Sequence, residues 1–336
     1  MSTTRLDVLT VGNALVDVLS LETDEFVATH GLERGAMTLI DADRAAALYT
    51  AMGPGIEMSG GSAANTAAGL ASFGATVGFV GRVCDDQLGA VFAHDIRAIG
   101  VEFGTAPASD GAPTGRCLII VTPDAQRTLN TFLGAASQLG PEDIDPAVVA
   151  ASAVTFLEGY LFDQDEAKEA FRHAARLAHD AGNRVALTLS DPFCVERHRS
   201  DFRDLVEHQI DVLFANEQEI CSLYEVDEFD AAAEHVRGHC EIAALTRSAL
   251  GSVVVAANDA HLVAAVPVEP VVDTTGAGDQ YAAGFLYGLT NGRDLPTCGR
   301  LGALAAAEII SHLGARPEIS LADLARSELG GAARRA

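Results

Sequence analysis

Asp273–Asp279 reads DTTGAGD, and an apolar run of small residues, Tyr281–Leu286 (YAAGFL), follows it. The two glycines permit a tight turn, and the run behind them predicts a helix whose first N–H groups have no partner within the helix. Such a helix start favours a bound anion. Asp279 lies in the first predicted turn, where its carboxylate could take a proton from a hydroxyl beside that anion. An anion site next to a base is what phosphoryl transfer to an alcohol requires, whereas a helix start capped by an acid is the structural alternative.

The overall charge limits the classes of partner. The chain has 336 residues and a formal net charge of −25, from 47 acidic and 22 basic residues. Phosphate backbones and anionic lipid surfaces attract basic patches, so we expect neither a nucleic acid nor a membrane as partner. The six cysteines are widely spaced, which disfavours a zinc site or a disulfide framework. Because no apolar run has membrane-spanning length and the N-terminus lacks the apolar core of a signal peptide, we expect a cytoplasmic protein.

Strands and helices alternate along most of the chain. Strand-like segments at 6–12, 76–80, 154–157, 185–189, 212–214 and 242–245 are separated by helical patterns such as 164–181, 217–224, 277–290 and 295–312. This alternation predicts an α/β fold with a mostly parallel sheet between two layers of helices. The segments 13–40 and 101–134 fit that sheet poorly, since they contain short strands and a hairpin turn at Pro123–Gln126, and we expect them to form a small β lid. No repeat or linker divides residues 1–336, which indicates a single domain.

Polar residues follow the predicted strands at their carboxyl ends, where ligands bind in open α/β sheets. Asn13 and Asp17 follow the first strand, and a carboxylate in the apolar segment around Asp17 needs a partner, either vicinal hydroxyls of a ligand or the backbone. Gly60 and Gly61 open a small-residue helix and permit either a hinge beside a polyhydroxylated ligand or simply a tight turn. Asn65, one turn into that helix, would offer a donor and an acceptor to a sugar hydroxyl.

Asn216 and Glu219 directly follow the predicted strand 212–214. Asn216 as N-cap with Glu219 three residues later is typical of a capping box, which is a purely structural interpretation. The functional interpretation is a site for hydrated Mg²⁺ and nucleotide phosphates, because Mg²⁺ keeps several waters and takes one or two carboxylates. The spacing leaves both interpretations open.

Two common phosphate-binding motifs are absent from the sequence. Lys168 is the sole lysine, and it lies in the helical stretch Asp165–Glu169, which matches neither a Walker loop nor the strand lysine of a protein kinase. We therefore expect phosphate to bind to backbone amides and arginine. Arg127, in the hairpin region, is the candidate, since a guanidinium suits phosphate geometry, although a solvated surface arginine is the alternative.

These motifs, in this order, resemble those of the ribokinase-like (PfkB) family of carbohydrate and nucleoside kinases, and the resemblance covers essentially the whole chain. Asp273–Asp279 resembles the C-terminal signature of the family, Gly60 and Gly61 with Asn65 its N-terminal signature, and Asn216–Glu219 its magnesium and phosphate motif. The resemblance implies a three-layer ribokinase-like α/β/α fold with a small β lid. It also implies ATP with Mg²⁺ and a small acceptor that carries a hydroxyl.

The resemblance implies roles for individual residues. Asp279 would be the base that deprotonates the acceptor, and the amides of Gly276, Ala277 and Gly278 would form the anion hole for the γ-phosphate. The residues implied to contact Mg²⁺ and the nucleotide, Glu219 through water, are Asn216, Glu219, Thr246, Gly251, Arg127 and Thr275. Asp273 and the Thr275 carbonyl match one half of a monovalent-cation site. In the other half Glu318 replaces a smaller residue, which leaves dependence on K⁺ open.

The acceptor end of the site resembles that of nucleoside kinases. Gly12–Asp17 (GNALVD) is similar to the start of adenosine kinases, in which the Asn and Asp flank the ribose. Tyr160 and Phe162 occupy the segment that supplies an aromatic wall for the base in those enzymes. The resemblance favours phosphorylation of the 5′-hydroxyl of a purine nucleoside, adenosine first. A ribokinase- or fructokinase-type sugar kinase and a non-catalytic nucleoside or nucleotide sensor are the alternatives, and we expect a monomer or a homodimer.

Overall fold

Two β-sheets and the helices around them form the part of the chain that the computed structural model describes, residues 5–124 and 126–332. The strands are β1 (Leu6–Val11), β2 (Leu15–Leu21), β3 (Met37–Leu39), β4 (Gly55–Gly60), β5 (Val77–Val80), β6 (Glu102–Phe103), β7 (Gly115–Val121), β8 (Arg127–Phe132), β9 (Ser152–Glu158), β10 (Arg184–Thr188), β11 (Val212–Asn216), β12 (Ile242–Thr246), β13 (Ser252–Ala256) and β14 (Ala260–Val263). The α-helices are α1 (Asp24–Thr29), α2 (Ala42–Ala51), α3 (Ser62–Phe73), α4 (Gln87–Ala98), α5 (Pro146–Ala150), α6 (Asp165–Asp180), α7 (Pro192–His208), α8 (Glu217–Tyr224), α9 (Phe229–Val236), α10 (Ala277–Thr290), α11 (Leu295–Ile309) and α12 (Leu321–Ala332). Residues 1–4 and Ala125, which belongs to the predicted hairpin turn, lie outside the described residues.

The larger sheet has the strand order β14-β13-β12-β11-β10-β9-β1-β5-β6. Its strands pair in parallel from β6 to β12, and β13 and β14 extend it in antiparallel fashion. Helices cover both faces, so strands such as β1 (LDVLTV) are apolar on both sides. One buried cluster includes Phe171 and Phe202, and the other includes Phe79 and Phe285. The predicted α/β fold with a mostly parallel sheet is confirmed.

The smaller sheet, which we call the lid sheet, has the order β3-β8-β7-β2-β4. One face packs on α2 and the second core cluster through residues such as Val18 and Leu118, and the other face looks onto a cavity. The predicted lid bounds were partly wrong. Residues 102–103 pair with β5 in the larger sheet, so this part of the lid sheet begins at 115 rather than at 101. The strand β4 (GIEMSG) was also missed, because its glycines and polar residues lack a strand pattern.

Several further elements, among them β13, β14 and α7, were absent from the sequence-based prediction. The hairpin β13–β14 adds an antiparallel edge to the larger sheet. The helix α7 begins with Asp191 as N-cap, which accepts a hydrogen bond from the Cys194 N–H at 2.7 Å, and Pro192 follows at the first helical position. Both are recognised helix-start signals that the sequence contains. No helix among the described residues is long and apolar enough to cross a bilayer.

Candidate active site

A cavity of about 1400 Å³ lies between the larger sheet and the lid sheet. The carboxyl ends of β9, β11 and β12 and the N-terminal turns of α3 and α10 open onto it, as expected for a parallel α/β sheet. Most of the residues predicted to form the site line this one cavity: Asn13, Asp17, Gly61, Asn65, Tyr160, Asn216, Glu219, Thr246, Gly251, Thr275, Gly276, Ala277, Gly278 and Asp279. Folding therefore brings together motifs that are more than 200 residues apart in the chain.

Asp279 lies in the first turn of α10 and faces this cavity. Ser62 Oγ donates to its Oδ1 at 2.6 Å, and Asn65 Nδ2 donates to its Oδ2 at 3.3 Å. Burial raises the pKa of Asp279 to about 6, against the lowering effect of these two hydrogen bonds and of the Arg316 charge. A carboxylate with such a pKa is ionised at neutral pH and still basic enough to accept a proton from a hydroxyl in a transition state.

The glycine turn before α10 lines the cavity. Gly276 has a φ of +78°, and a Cβ there would lie 2.9 Å from the Ala315 Cβ, so only glycine fits. Among the described residues, no hydrogen bond engages the N–H of Gly276 or Gly278. The N–H of Ala277, in contrast, donates to the Thr274 carbonyl at 3.2 Å. The predicted anion hole of three amides is thus reduced to two, because the turn itself uses the Ala277 amide.

The acceptor end contains a buried carboxylate that sequence reasoning missed, Glu158 at the end of β9. Its Oε1 accepts from Asn13 Nδ2 at 2.7 Å, and its Oε2 accepts from the Ala63 N–H at 2.7 Å. Burial raises the pKa of Glu158 to about 7. Oδ1 of Asn13 and Oδ1 of Asn65 are buried without a hydrogen-bond partner. Both carboxamides therefore offer a free acceptor to a ligand that donates from hydroxyl groups.

The two predicted hinge glycines pack against the acceptor residues, Gly60 against Asp17 and Gly61 against Asn13. A Cβ on Gly60 would lie 2.3 Å from Asp17 Cγ, and a Cβ on Gly61, whose φ is +102°, would lie 2.1 Å from the Asn13 carbonyl oxygen. The glycines are needed for this close packing, and Gly60 itself, the last residue of β4, does not line the cavity. Burial raises the pKa of Asp17 to about 6, and the charges of Arg316 and Arg127 oppose that rise.

Asn216 and Glu219 form the predicted capping box at the start of α8. Asn216 Nδ2 donates to Glu219 Oε1 at 2.6 Å, and the Glu219 N–H donates to Asn216 Oδ1 at 2.9 Å. Burial raises the pKa of Glu219 to about 7, so a nearby cation would favour its ionised form. No group of three or more metal-ligating side chains occurs within residues 5–124 and 126–332. A lone buried carboxylate on the cavity wall suits a divalent ion that keeps its waters and is shared with a nucleotide.

Thr246 and Gly251 lie near each other at the β12–β13 connection. Gly251 has a φ of +88°, and a Cβ there would lie 2.1 Å from the Val263 carbonyl oxygen. Both residues line the cavity, whereas Arg247 pairs with Glu217 at 3.0 Å and is not part of the cavity wall. The nucleotide end of the predicted site thus consists of backbone and small side chains.

Arg127 of the lid sheet forms an ion pair with Asp273, at 3.0 Å between Nη1 and Oδ2. Its Nε and Nη2 are buried without a partner. Asp273 Oδ2 also accepts from the Gly314 N–H, and its Oδ1 accepts from both the N–H and the hydroxyl of Thr275. A carboxylate has about four lone-pair positions. Protein donors therefore contact both oxygens of Asp273, the residue predicted to contact a monovalent cation.

The two residues predicted to form an aromatic wall have different surroundings. Tyr160 lines the cavity, and both its N–H and its hydroxyl donate to Ser190, to Oγ and to the carbonyl oxygen, at 3.2 Å each. Phe162 does not line the cavity. Its ring is fully buried and stacks on Phe202 with a centroid distance of 4.5 Å. Two residues after Tyr160 in a short 3-10 turn, the side chain points to the opposite side and packs into the core.

A buried carboxylate next to free amides at a helix start is the arrangement that phosphoryl transfer to a hydroxyl requires. The family follows from comparison: residues 54–321 match the model of the pfkB family of carbohydrate kinases, and the chain belongs to this family. Its fold is ribokinase-like, and its members use ATP and a divalent metal.

The solved structures similar to this chain include an adenosine kinase and a probable sugar kinase. An adenosine kinase from Sinorhizobium meliloti is 52% identical, with a TM-score of 0.89, and the match covers 97% of this chain and 100% of that chain. A probable sugar kinase from Rhizobium etli CFN 42 is 49% identical, with a TM-score of 0.89 and coverage of 98% and 99%. A 5-dehydro-2-deoxygluconokinase from Geobacillus thermodenitrificans is 27% identical over 75% of this chain and 78% of its own.

Proposed function

We propose that this kinase transfers the γ-phosphate of ATP to the 5′-hydroxyl of a purine nucleoside, with adenosine as the preferred acceptor. The observation that carries the proposal is an apolar wall on the lid sheet next to the polar acceptor residues. Asp17 pairs in register with Cys117, which pairs with Thr131. Around them, the cavity-lining residues of this wall are Leu15, Met37, Leu39, Ile119, Leu129 and Leu133.

A nucleoside matches this division of the cavity better than a free sugar does. Its vicinal hydroxyls can donate to Asp17 and to the free carboxamide oxygens of Asn13 and Asn65, while its base covers the apolar wall. A free sugar carries hydroxyls on every side, and those facing the wall would lose their hydrogen bonds to water without replacement. The 52% identity to an adenosine kinase supports the same choice.

The charge of the acceptor end also argues against acidic sugars as acceptors. The carboxylates of Asp17, Glu158 and Asp279 surround the place where the acceptor would bind. Against the nearby charges of Arg316 and Arg127, these three carboxylates leave an excess of negative charge, which disfavours the carboxylate of a sugar acid. The free carboxamide oxygens cannot donate to it either. A neutral polyhydroxylated acceptor is therefore favoured.

In the proposed reaction, Asp279 accepts the proton of the 5′-hydroxyl as its oxygen attacks the γ-phosphorus. The bond from the γ-phosphorus to the bridging oxygen breaks, and ADP leaves with that oxygen. The N–H groups of Gly276 and Gly278 stabilise the charge on the transferred group. Mg²⁺, which Glu219 would hold through water, supplies charge neutralisation of the phosphates when bound. The lid sheet excludes water that would otherwise hydrolyse ATP.

The proposal is tested by initial rates with ATP and a panel of adenosine, guanosine, inosine, 2′-deoxyadenosine, ribose and fructose. We expect the highest kcat/KM with adenosine and a loss of about ten-fold or more with 2′-deoxyadenosine, since one hydroxyl donor is missing. Faster turnover of a free sugar than of any nucleoside would assign the enzyme to the sugar kinases instead.

A further inference from the structure

Arg316 makes contacts that the transfer step as described does not use. It lies in the loop between α11 and α12, and burial lowers the pKa of its guanidinium. Nη1 donates to the Ala64 carbonyl oxygen at 3.1 Å. Nη2 donates to the carbonyl oxygen and, at 3.0 Å, to the hydroxyl of Ser59. A guanidinium that is withdrawn from water and donates to two separate backbone segments acts as a fixed link between them.

The two segments joined by Arg316 are the lid strand β4 and the helix that orients the base. Ser59 directly precedes the Gly60–Gly61 turn, and the Ser59 N–H donates to Asp95 Oδ2 at 2.8 Å. Ala64 is in the first turn of α3, the turn that carries Ser62, whose hydroxyl donates to Asp279. Any displacement of β4 relative to α3 must therefore break hydrogen bonds to this one side chain.

The same loop also supports the glycine turn and α10. Gly314 donates its N–H to Asp273 at 3.0 Å, and Ala315 packs against Gly276. The carbonyl oxygen of Ala315 accepts from Gln280 Nε2 at 3.1 Å. Arg316 is thus anchored next to both parts of the site, the anion turn and the base.

The charge of Arg316 acts on the carboxylates of the acceptor end. It lowers the pKa of Asp17 and of Asp279, against the effect of burial. The other titratable groups whose charges interact with Asp279 are Asp17 of β2, Glu158 of β9, Tyr160 of the turn after β9 and Glu219 of α8. All of these are acids. Arg127 is a further cation near Asp17.

We propose that Arg316 is a positioning residue for phosphoryl transfer, which joins β4 to the first turn of α3 and places a fixed positive charge beside Asp17 and Asp279. The proposal rests on the proposed role of Asp279 as base. In physical terms, Arg316 supports both the lid hinge and the base. A change in this side chain therefore alters both the alignment and the ionisation of Asp279.

The test compares Arg316→Gln, Arg316→Lys and wild type in the pH dependence of kcat/KM, with the melting temperature as a check of folding. We expect Arg316→Gln to lose about ten-fold or more of kcat and to move the acid limb of the profile upward by about one pH unit, because the positive charge is gone. Arg316→Lys keeps the charge but cannot reach both carbonyls. We expect it to keep the acid limb of wild type with a reduced kcat.

Arg237→Gln is the matched control, because Arg237 also donates to a backbone carbonyl, that of Ala256 at 3.0 Å, but lies away from the cavity. It should leave kcat and the acid limb unchanged. A folded Arg316→Gln variant with the kcat and acid limb of wild type would overturn the proposal. If that variant does not fold, an Arg316→Lys variant with wild-type kcat overturns it equally. Failure of the proposed function is separate, since wild type would then not phosphorylate adenosine, and the variants are compared with the acceptor that wild type does use.

Discussion

Glu158 holds Asn13 through two hydrogen bonds, from Nδ2 to Oε1 at 2.7 Å and from the backbone N–H to Oε2 at 3.3 Å. Because Nδ2 is engaged, Oδ1 is the end of the Asn13 carboxamide that is free for the acceptor. Glu158 also accepts the Ala63 N–H, so the same carboxylate ties the chain after β1 to the start of α3. The acceptor end is thus oriented by a residue that contacts it from behind.

Glu158→Gln should raise the KM for the acceptor by about ten-fold, with a smaller effect on kcat and on the KM for ATP. In the variant, the NH₂ group of the amide faces N–H groups that donate hydrogen bonds to the carboxylate in wild type. These hydrogen bonds cannot form, and Asn13 loses its fixed orientation. Steady-state kinetics with each substrate varied in turn measures the effect. Thr155→Val, on the same strand, is the control and should leave both KM values unchanged. An unaltered acceptor KM in a folded Glu158→Gln variant would contradict the assigned role.

Asp279→Asn should lower kcat by about 10² to 10⁴, the range usual for a general base, while the KM for the acceptor changes little. The amide oxygen can still accept from Ser62, whereas the amide nitrogen cannot accept the hydrogen bond from Asn65. Single-turnover measurements of phosphoryl transfer isolate the chemical step. A variant that retains wild-type kcat would rule out Asp279 as the base.

The rate of wild type should fall in acid. The pKa of Asp279 is raised to about 6, and the base must be ionised to accept a proton, so protonation removes activity as the pH falls through that value. Asp17 titrates in the same range, which should make the decline steeper than for a single group. We expect kcat/KM at pH 5 to be at least about ten-fold below its value at pH 7.5. A profile that is flat down to pH 5 would be inconsistent with a base of this pKa.

Glu219→Gln should raise the KM for Mg·ATP several-fold and shift the Mg²⁺ requirement to higher concentration, because the negative charge that attracts the hydrated ion is lost. The pKa of Glu219 is raised to about 7, so the KM for Mg·ATP of wild type should also rise as the pH falls below that value. Glu217→Gln, in the same helical turn but paired with Arg247, is the control and should have no effect. Equal Mg²⁺ titration curves for the three proteins would refute a metal role of Glu219.

Potassium should have little influence on the rate, because Arg127 and three protein donors occupy the oxygens of Asp273. We expect less than about a two-fold difference between assays in KCl and in NaCl at equal ionic strength. Arg127→Gln removes one of the two donors to Oδ2 of Asp273 and should increase the response to K⁺. Strong activation of wild type by K⁺ would contradict this expectation.

The residues with local signals were predicted correctly. The sequence within a few residues was sufficient to predict three features. These are the capping box of Asn216 and Glu219, the helix after Gly276 and the cavity-facing position of Asp279. Phe162 and the start of the lid were predicted wrongly. In both cases the direction of a side chain or the partner of a short strand depends on residues far away in the chain.

The order of apolar strands, glycine turns and helix starts along the chain was sufficient to predict the parallel α/β architecture and a helix start with an adjacent acid. The reason is that hydrogen bonding and periodicity act over a few residues. The contacts of Glu158 with Asn13 and of Arg316 with Ser59 span 145 and 257 residues. Three features arise only when distant segments pack together: the burial of these charges, the pKa values that result, and the apolar wall around Asp17. They depend on the tertiary structure because desolvation is a property of the folded surroundings of a group and not of its neighbours in the sequence.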